Sequence, residues 1–443
     1  MIGGSWRRII VLCGIQFVDV LGVTSGITAL PAMLDGVSAP AAATGILATV
    51  YAMFFGGLLV LGARLGDRYG HRRVLLIGCV AFALVSVIGA SAQEIVQLVA
   101  ARGLQGAAAA ISVPSALRLL LDETPEPDDR RGALAAWSAS GAAAGAAGLL
   151  VGGALTDALG WRAVFWVNVP VGIALAAAVW LVIPRSAPDE DRPRLDLVGA
   201  ALLTGSVMAL IVGASFGWPL IIAGLVAGAG FLVQQRRAAE PLVPRAAFAS
   251  ANLRTGTVIS FVNTATTSSA AVLATLALQE DFGVSAVGAG LALLPLSLGV
   301  VAGSALTKPL GARLSPRRLA AVGLTMIGVG CLVLVLTYGS IPALVAGVCL
   351  AGVGLGVASV AGTAIGTDVA GDLSGTASGV LNTGAQLGTA LGVAALLLLA
   401  AAFAEPSTGT VVAWAAIAGL ASVTTAGLLA RARRVPATKA SAN

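Results

Sequence analysis

Asp19 stands near the middle of an apolar run that begins at Ile9, and no other carboxylate lies so deep in a stretch of this kind. At about 1.5 Å of helical rise per residue, it sits roughly 15 Å along a helix. That depth is the midplane of a hydrocarbon layer about 30 Å thick. An ionised side chain there costs about 2.5–3.5 kcal/mol, so Asp19 must either pair or hold a proton. Both states suit a group that loads protons or binds a cation. The plainer alternative is an acid bonded to neighbouring Ser or Thr with no coupling work. Arg102 and Gln105 lie three residues apart in another apolar run, on one helix face. A guanidinium two turns inside a membrane faces a wet cavity or a partner. Asp19, Gln16, Arg102, Gln105 and a polar strip at residues 263–269, headed by Asn263, are therefore expected to line one cavity.

Other chemistry lacks raw material. His71 is the one histidine, which leaves neither a multi-histidine metal site nor a buried base for a Ser/His/Asp triad. Cys13, Cys79, Cys331 and Cys349 fall inside apolar runs, with no metal or disulfide spacing. The two lysines, Lys308 and Lys439, close no Gly-rich phosphate cradle, so a nucleotide-driven pump is excluded. No metal, no cofactor and no enzymatic activity are expected. Energy would come from an ion gradient.

The elements that must hold these residues are read from composition. Of 443 residues 58% are hydrophobic and 10% charged, with a mean hydropathy of +0.96. Apolar runs long enough to cross a bilayer recur from end to end, and strand-like alternation is absent, so the expected fold is all-α. Arg7 and Arg8 before the first run imitate a signal peptide, but no small-residue cleavage site follows, and the run reads as a span. The predicted spans cover residues 9–33, 42–61, 74–92, 95–117, 132–155, 164–183, 197–215, 218–233, 255–278, 287–306, 319–336, 341–365, 375–402 and 411–429. That makes fourteen.

Charge tests the count independently. With the N-terminus inside, all 26 basic residues except Arg102 and Arg162 fall at cytoplasmic ends or loops. Asp35, Glu94, Asp157, Glu280, Asp281 and Glu405 fall on the outside. The net charge of +6 thus reports topology, and its scatter over many short loops argues against nucleic-acid binding. Both termini are expected in the cytoplasm, in a multi-pass plasma-membrane protein whose surroundings are the lipid bilayer. The longest polar segments, residues 122–131 and 184–196, are too short for a soluble domain.

Leu61-Gly62-Ala63-Arg64-Leu65, closing span two, recurs as Leu310-Gly311-Ala312-Arg313-Leu314, closing span ten. Spans two and ten hold the same place in the first six and last six. Two six-helix bundles with a pseudo-two-fold relation and two inserted central helices follow, divided at 1–188, 189–250 and 251–443. Repeated bundles around a central site suit alternating access.

These residues resemble the major facilitator superfamily, and specifically its fourteen-span drug/proton antiporter branch. Residues 62–73 are similar to the superfamily signature between spans two and three. The resemblance implies a conformational latch there, built from Asp67, Arg68, Gly70, Arg72 and Arg73. Ala101-Arg102-Gly103-Leu104-Gln105-Gly106 with Pro114 resembles a second family motif, and Gly141, Gly145, Gly148, Gly152 and Gly153 resemble the branch's antiporter motif. Glycines four apart make a smooth face for a neighbouring helix. Residues 161–170 resemble the branch's entry to span six. Residues 378–388 are similar to the branch in span thirteen, which adds Asn382 and Gln386 to the cavity. Many members carry an Asp at the position of Gly22, and Asp19 lies almost one turn earlier on the same face. The resemblance implies export of a drug, antibiotic or secreted metabolite in exchange for protons, by a carrier working as a monomer. Proton-coupled uptake is the alternative, and a membrane-embedded sensor or enzyme without transport is the remote one.

Overall fold

The computed structural model describes residues 2–40, 43–124, 126–184, 196–216, 218–239, 241–242, 249–369 and 374–433. Among the described residues the chain forms fourteen long helical segments, as expected. They are α1 (Ile2–Thr28, continued by Leu30–Gly36), α2 (Ala43–Tyr69), α3 (His71–Ala90), α4 (Ile95–Asp122), α5 (Pro127–Leu159), α6 (Ala163–Trp166, continued by Asn168–Val182) and α7 (Leu197–Phe216). The rest are α8 (Trp218–Arg237), α9 (Ala251–Leu276, ending in a π turn at Ala277–Asp281), α10 (Ala286–Gly311), α11 (Pro316–Leu336), α12 (Ile341–Gly366), α13 (Ser374–Ala401) and α14 (Pro406–Arg433). Among the described residues, thirteen helices are long and apolar enough to cross a membrane, and Leu197–Gly213 within α7 is a shorter apolar helix.

Two boundaries differ from expectation. The first span breaks at Ala29, because Pro31 lacks an N–H and disfavours helical backbone before it; the chain then runs on to Gly36. The signature at residues 62–73, read as a loop, is almost all helix. The turn between α2 and α3 is Gly70 alone, at φ +89°, a left-handed conformation that only glycine enters without strain.

The two bundles repeat one packing scheme. In the first, α1 packs on α5, α2 on α4, α3 on α4 and α6, and α4 and α6 also touch α1. In the second, α9 packs on α13, α10 on α12, α11 on α12 and α14, and α12 and α14 also touch α9. The bundles meet reciprocally, α2 against α13 and α10 against α5. The inserted pair α7–α8 breaks this symmetry, because α7 lies on α2 and α13 only, along one of the two seams.

Small residues make these contacts possible. A Cβ on Gly148 would run into Thr24, and one on Gly152 would lie 2.5 Å from Ser25 Cα, so α5 packs its backbone on α1. Gly388 and Gly392 play the same part for α13, against Phe261, Thr264 and Ala265 of α9. Gly153 faces the other way, toward Ala286 and Val287 of α10, and belongs to the seam between bundles. Gly141 and Gly145 are looser: a Cβ on them would lie 3.1 Å from Gln16 Nε2 and 3.7 Å from Ser297 Oγ. The five glycines thus serve two neighbouring helices, where the spacing alone pointed to one.

The prediction concerns this packing. A leucine at Gly388 would drive its Cβ to 2.7 Å from Thr264 Oγ1 and against the Phe261 carbonyl, whereas a Cβ on Gly419 meets open space. Gly388→Leu should cost about 1–3 kcal/mol of overpacking. Thermal unfolding in detergent should show a lowered midpoint for Gly388→Leu and an unchanged or raised one for Gly419→Ala.

Candidate functional site

The buried chemistry of the first bundle converges where α1, α2 and α4 meet. Asp19 is 7% exposed, and the Tyr51 hydroxyl donates a short hydrogen bond to its Oδ1. Tyr51 is also buried, and its ring carries the Arg102 guanidinium at 5.0 Å from the centroid, a cation–π contact in a desolvated place. Arg102 Nη1 donates to the Gly22 carbonyl at 3.2 Å and to Gln105 Oε1 at 3.4 Å. Gln105 Nε2 then donates to Ser86 Oγ at 2.9 Å, and that hydroxyl donates to the Phe82 carbonyl at 2.6 Å. Gly26 admits the guanidinium: a Cβ there would lie 2.7 Å from Arg102 Nη2. Asp19 and Arg102 are not an ion pair, and Tyr51 stands between them, bonded to one and stacked on the other. A cavity of about 30 Å³ adjoins Asp19, with Ser112 on its wall; it has room for a water.

The second bundle holds a different site. Asn263, Asn382, Ser260, Ser359 and Thr363 line a cavity of about 250 Å³ among α9, α12 and α13. Asn263 Nδ2 donates to Ser359 Oγ at 2.9 Å and to the Leu355 carbonyl at 3.3 Å. The expected single cavity is therefore corrected: Asp19 and Asn263 line separate cavities in separate bundles. Gln16 is half-buried against Gly141 of α5, and Gln386 packs its Cβ against Gly56 where α2 meets α13. Neither lines the cavity of Asp19. Much of the strip at residues 263–269 is spent within α9: Thr266, Thr267 and Ser269 donate to carbonyls three or four residues back.

The repeat explains why charge sits in one bundle only. Gly106 abuts the Tyr51 carbonyl as Gly356 abuts that of Val300, and Thr24 donates to the Ala144 carbonyl as Thr264 does to that of Ala385. Counting from these anchors, Ile259, Val300, Gly352 and Leu355 stand where the first bundle has Asp19, Tyr51, Arg102 and Gln105. Tyr51 was missed from sequence. The available signal was a phenol inside an apolar span, whose buried hydroxyl needs a partner.

The latch residues are spread around the α2–α3 turn. Asp67 Oδ1 lies 3.2 Å from His71 Nε2, one turn on, and Arg72 donates to the Trp180 carbonyl at the end of α6, at 2.7 Å. Arg68 lies over the Tyr69 ring at 5.6 Å, and Arg73 is exposed. At the same end of the molecule Arg8 pairs with Glu123 at 2.7 Å, joining α1 to α4.

At the opposite, acidic end the two bundles are tied together. Asp157 of α5 accepts from the Ala286 and Val287 N–H groups at 3.2 and 2.9 Å, so its carboxylate sits on the positive N-terminus of α10. Gln279 donates to the Thr28 carbonyl at 3.0 Å. One apolar core runs beneath these bonds through both bundles, with Leu30, Met33, Leu149, Leu273, Leu278 and Leu293 in it. Nearby, Tyr338 donates to Asp281 at 2.5 Å, and burial with that bond raises its phenol above the ordinary value. Asp157 and Gln279 carried no sequence signal, since their partners are backbone groups of distant helices.

Comparison with known proteins agrees with this architecture. A model described as Major Facilitator Superfamily matches residues 12–243 and 256–443. The chain is 32% identical, over 80% of its length, to the "Probable actinorhodin transporter" of Streptomyces coelicolor, and 37% identical, over 66%, to the "Cephamycin export protein CmcT" of Amycolatopsis lactamdurans. It spans less than two thirds of these relatives, 64% and 62% of their respective lengths. The crystal structure of the POT family transporter PepTSo superposes with a TM-score of 0.71 at 15% identity, covering 96% of this chain and 98% of that one.

The tie at the acidic end gives a prediction. Removing a carboxylate that caps a helix costs about 0.5–2 kcal/mol. Asp157→Ala should therefore shift the ratio of joined to parted bundles at this end by about 2- to 30-fold. Maleimide labelling of a reporter introduced by Val287→Cys should then rise, compared with the same reporter beside an intact Asp157.

Proposed function

The chain belongs to the Major Facilitator Superfamily, and from that premise we propose that it is a secondary transporter exporting small organic compounds in exchange for protons, by alternating access. The reading rests above all on one observation: a buried carboxylate in the first bundle is held by a phenol that also touches a buried arginine. Two relatives are named for a transporter and an exporter of antibiotics, which supports a secreted metabolite or antibiotic as cargo.

Asp19 is the proton carrier in this reading. A neutral Asp19 and an ionised one make different demands on the Tyr51 hydroxyl, and the ring of Tyr51 carries Arg102. Arg102 in turn grips the Gly22 carbonyl of α1 and, through Gln105 and Ser86, α3. Gain or loss of one proton thereby reaches the contacts among α1, α2, α3 and α4. Substrate reaches the other bundle through Asn263 and Asn382, with Gln16 on α1 and Gln386 one turn beyond Asn382 on α13. Asp67, Arg68, Gly70, Arg72 and Arg73 restrain the α2–α3 turn, and the glycines of α5 let it rock against α1 and α10.

The positive-inside rule puts the basic end, with both described helix termini, in the cytoplasm. The acidic end is the closed one, so this arrangement faces the cytoplasm and is ready to load cargo. The carrier works as a monomer, because each bundle supplies its own site.

Asp19→Asn should reduce proton-driven efflux to the level of empty vesicles, measured as substrate uptake into everted vesicles under an imposed pH gradient. Efflux that survives unchanged would remove Asp19 from the coupling step. Tyr51→Phe deletes one hydrogen bond to a charged group, about 1.5–3 kcal/mol, and should slow the same uptake roughly tenfold or more.

A further inference from the structure

We infer that the cavity of the second bundle is a subsite for a neutral, multiply hydroxylated group on the cargo, of the glycosyl or polyol class. The inference rests on the transport reading and adds the chemistry of what is carried. The cavity, about 250 Å³, accommodates a group the size of one sugar ring, below the 300–1,000 Å³ typical of whole-ligand pockets.

Its wall carries several polar side chains on a largely apolar surface, and no charge. Ser260, Asn263, Thr264, Ser359, Thr363 and Asn382 contribute the side-chain polar groups used here, and no Asp, Glu, Lys or Arg lines it. A cation or an anion would be stripped of water there with no countercharge, which is costly. A hydroxylated neutral group meets no such penalty.

The hydrogen-bonding pattern sharpens the assignment. Asn263 is 1% exposed, and its Nδ2 is committed to the Leu355 carbonyl and to Ser359 Oγ. The Leu355 carbonyl can only accept, so the amide cannot be turned round. Asn263 Oδ1 is thus an acceptor with no partner, buried at the wall of the cavity. An unsatisfied buried acceptor costs about 1–3 kcal/mol, and a donor brought by the ligand recovers it. Ser359, having accepted from Asn263, keeps its own proton to donate. The exposed Asn382 side chain, across the cavity on α13, makes no hydrogen bond among the described residues. An acceptor and donors thus line one small cavity from two sides, a combination that hydroxyls satisfy, each giving one proton and accepting another. A flat aromatic group without hydroxyls would leave all of them unpaired.

The test is equilibrium binding to the purified full chain in nanodiscs, without a gradient, so that it reads the subsite and not the coupling. The probes are 4-methylumbelliferyl β-glucoside and its aglycone, 4-methylumbelliferone, followed by fluorescence. The glucoside should bind at least about tenfold more tightly than the aglycone. Asn263→Leu should abolish most of that difference by weakening the glucoside alone. Asn382→Ala removes a side chain with no hydrogen bond to lose, so its fold is preserved; it should narrow the difference as well. Gly419→Ala, whose Cβ meets open space away from both cavities, should leave both affinities unchanged. Equal binding of glucoside and aglycone by the wild type would overturn the inference, as would Asn382→Ala weakening both probes alike. Loss of proton-driven transport in Asp19→Asn with the glucoside preference intact would support coupling and subsite together. An intact preference beside unchanged proton-driven transport in Asp19→Asn would overturn the proton-carrier reading alone.

Discussion

A carboxylate at mid-depth in lipid has no water to solvate it, and everything in the first bundle is arranged around that fact. The Tyr51 hydroxyl supplies the hydrogen bond, and the Tyr51 ring supplies a surface on which Arg102 can stand without forming an ion pair with Asp19. A direct pair would neutralise both charges and lock the acid in one state. With a phenol in between, Arg102 is held by the Gly22 carbonyl and Gln105 and meets Asp19 only through Tyr51. Gly26 leaves the guanidinium its room, since a Cβ there would lie 2.7 Å from Arg102 Nη2 and push it aside.

The second bundle repeats the scaffold without the charge. Thr24 and Thr264 bond across to carbonyls of α5 and α13 one residue apart in the repeat, and Gly106 and Gly356 seat on the same backbone positions of α2 and α10. What packs the helices has been kept in both halves, because close backbone contact between membrane helices depends on small residues and weak polar bonds. What carries charge appears once. Ile259, Val300, Gly352 and Leu355 fill the corresponding places, and the polar wall of the second bundle is built a turn away, from uncharged side chains. Two bundles of one design therefore hold two kinds of site.

The closed end shows how little holds such halves together. Asp157 on the N-terminus of α10, Gln279 on the Thr28 carbonyl and a shared apolar core form the tie. Hydrogen bonds of this kind contribute about 1 kcal/mol each, so the tie can be broken and remade at low cost. The inserted pair α7–α8 lies along the α2–α13 seam, so close that a Cβ on Gly57 would come within 2.5 Å of Thr204 Oγ1. Asp196 knits that pair internally, accepting from Gln234 at 3.0 Å and Gln235 at 2.7 Å.

Fourteen helices, the basic and acidic ends and the doubled bundle were legible in the order of the residues. Hydrophobic length and charge asymmetry are one-dimensional quantities, and lipid enforces them segment by segment. Asp19, Arg102 and Gln105 could be singled out for the same reason, since a polar group in an apolar run is conspicuous whatever it touches. Their partners were not legible. Tyr51 is 32 residues from Asp19, and the Asp157 tie spans 129 and 130 residues to backbone groups that every residue possesses. The expected common cavity divided in two for the same reason: a polar strip on α9 marks a face, but only helix packing decides which face meets which. Sequence determined the depth at which each polar group lies. The tertiary structure alone decided who answers it, because across a bundle contact depends on helix rotation and separation, which no spacing along the chain records.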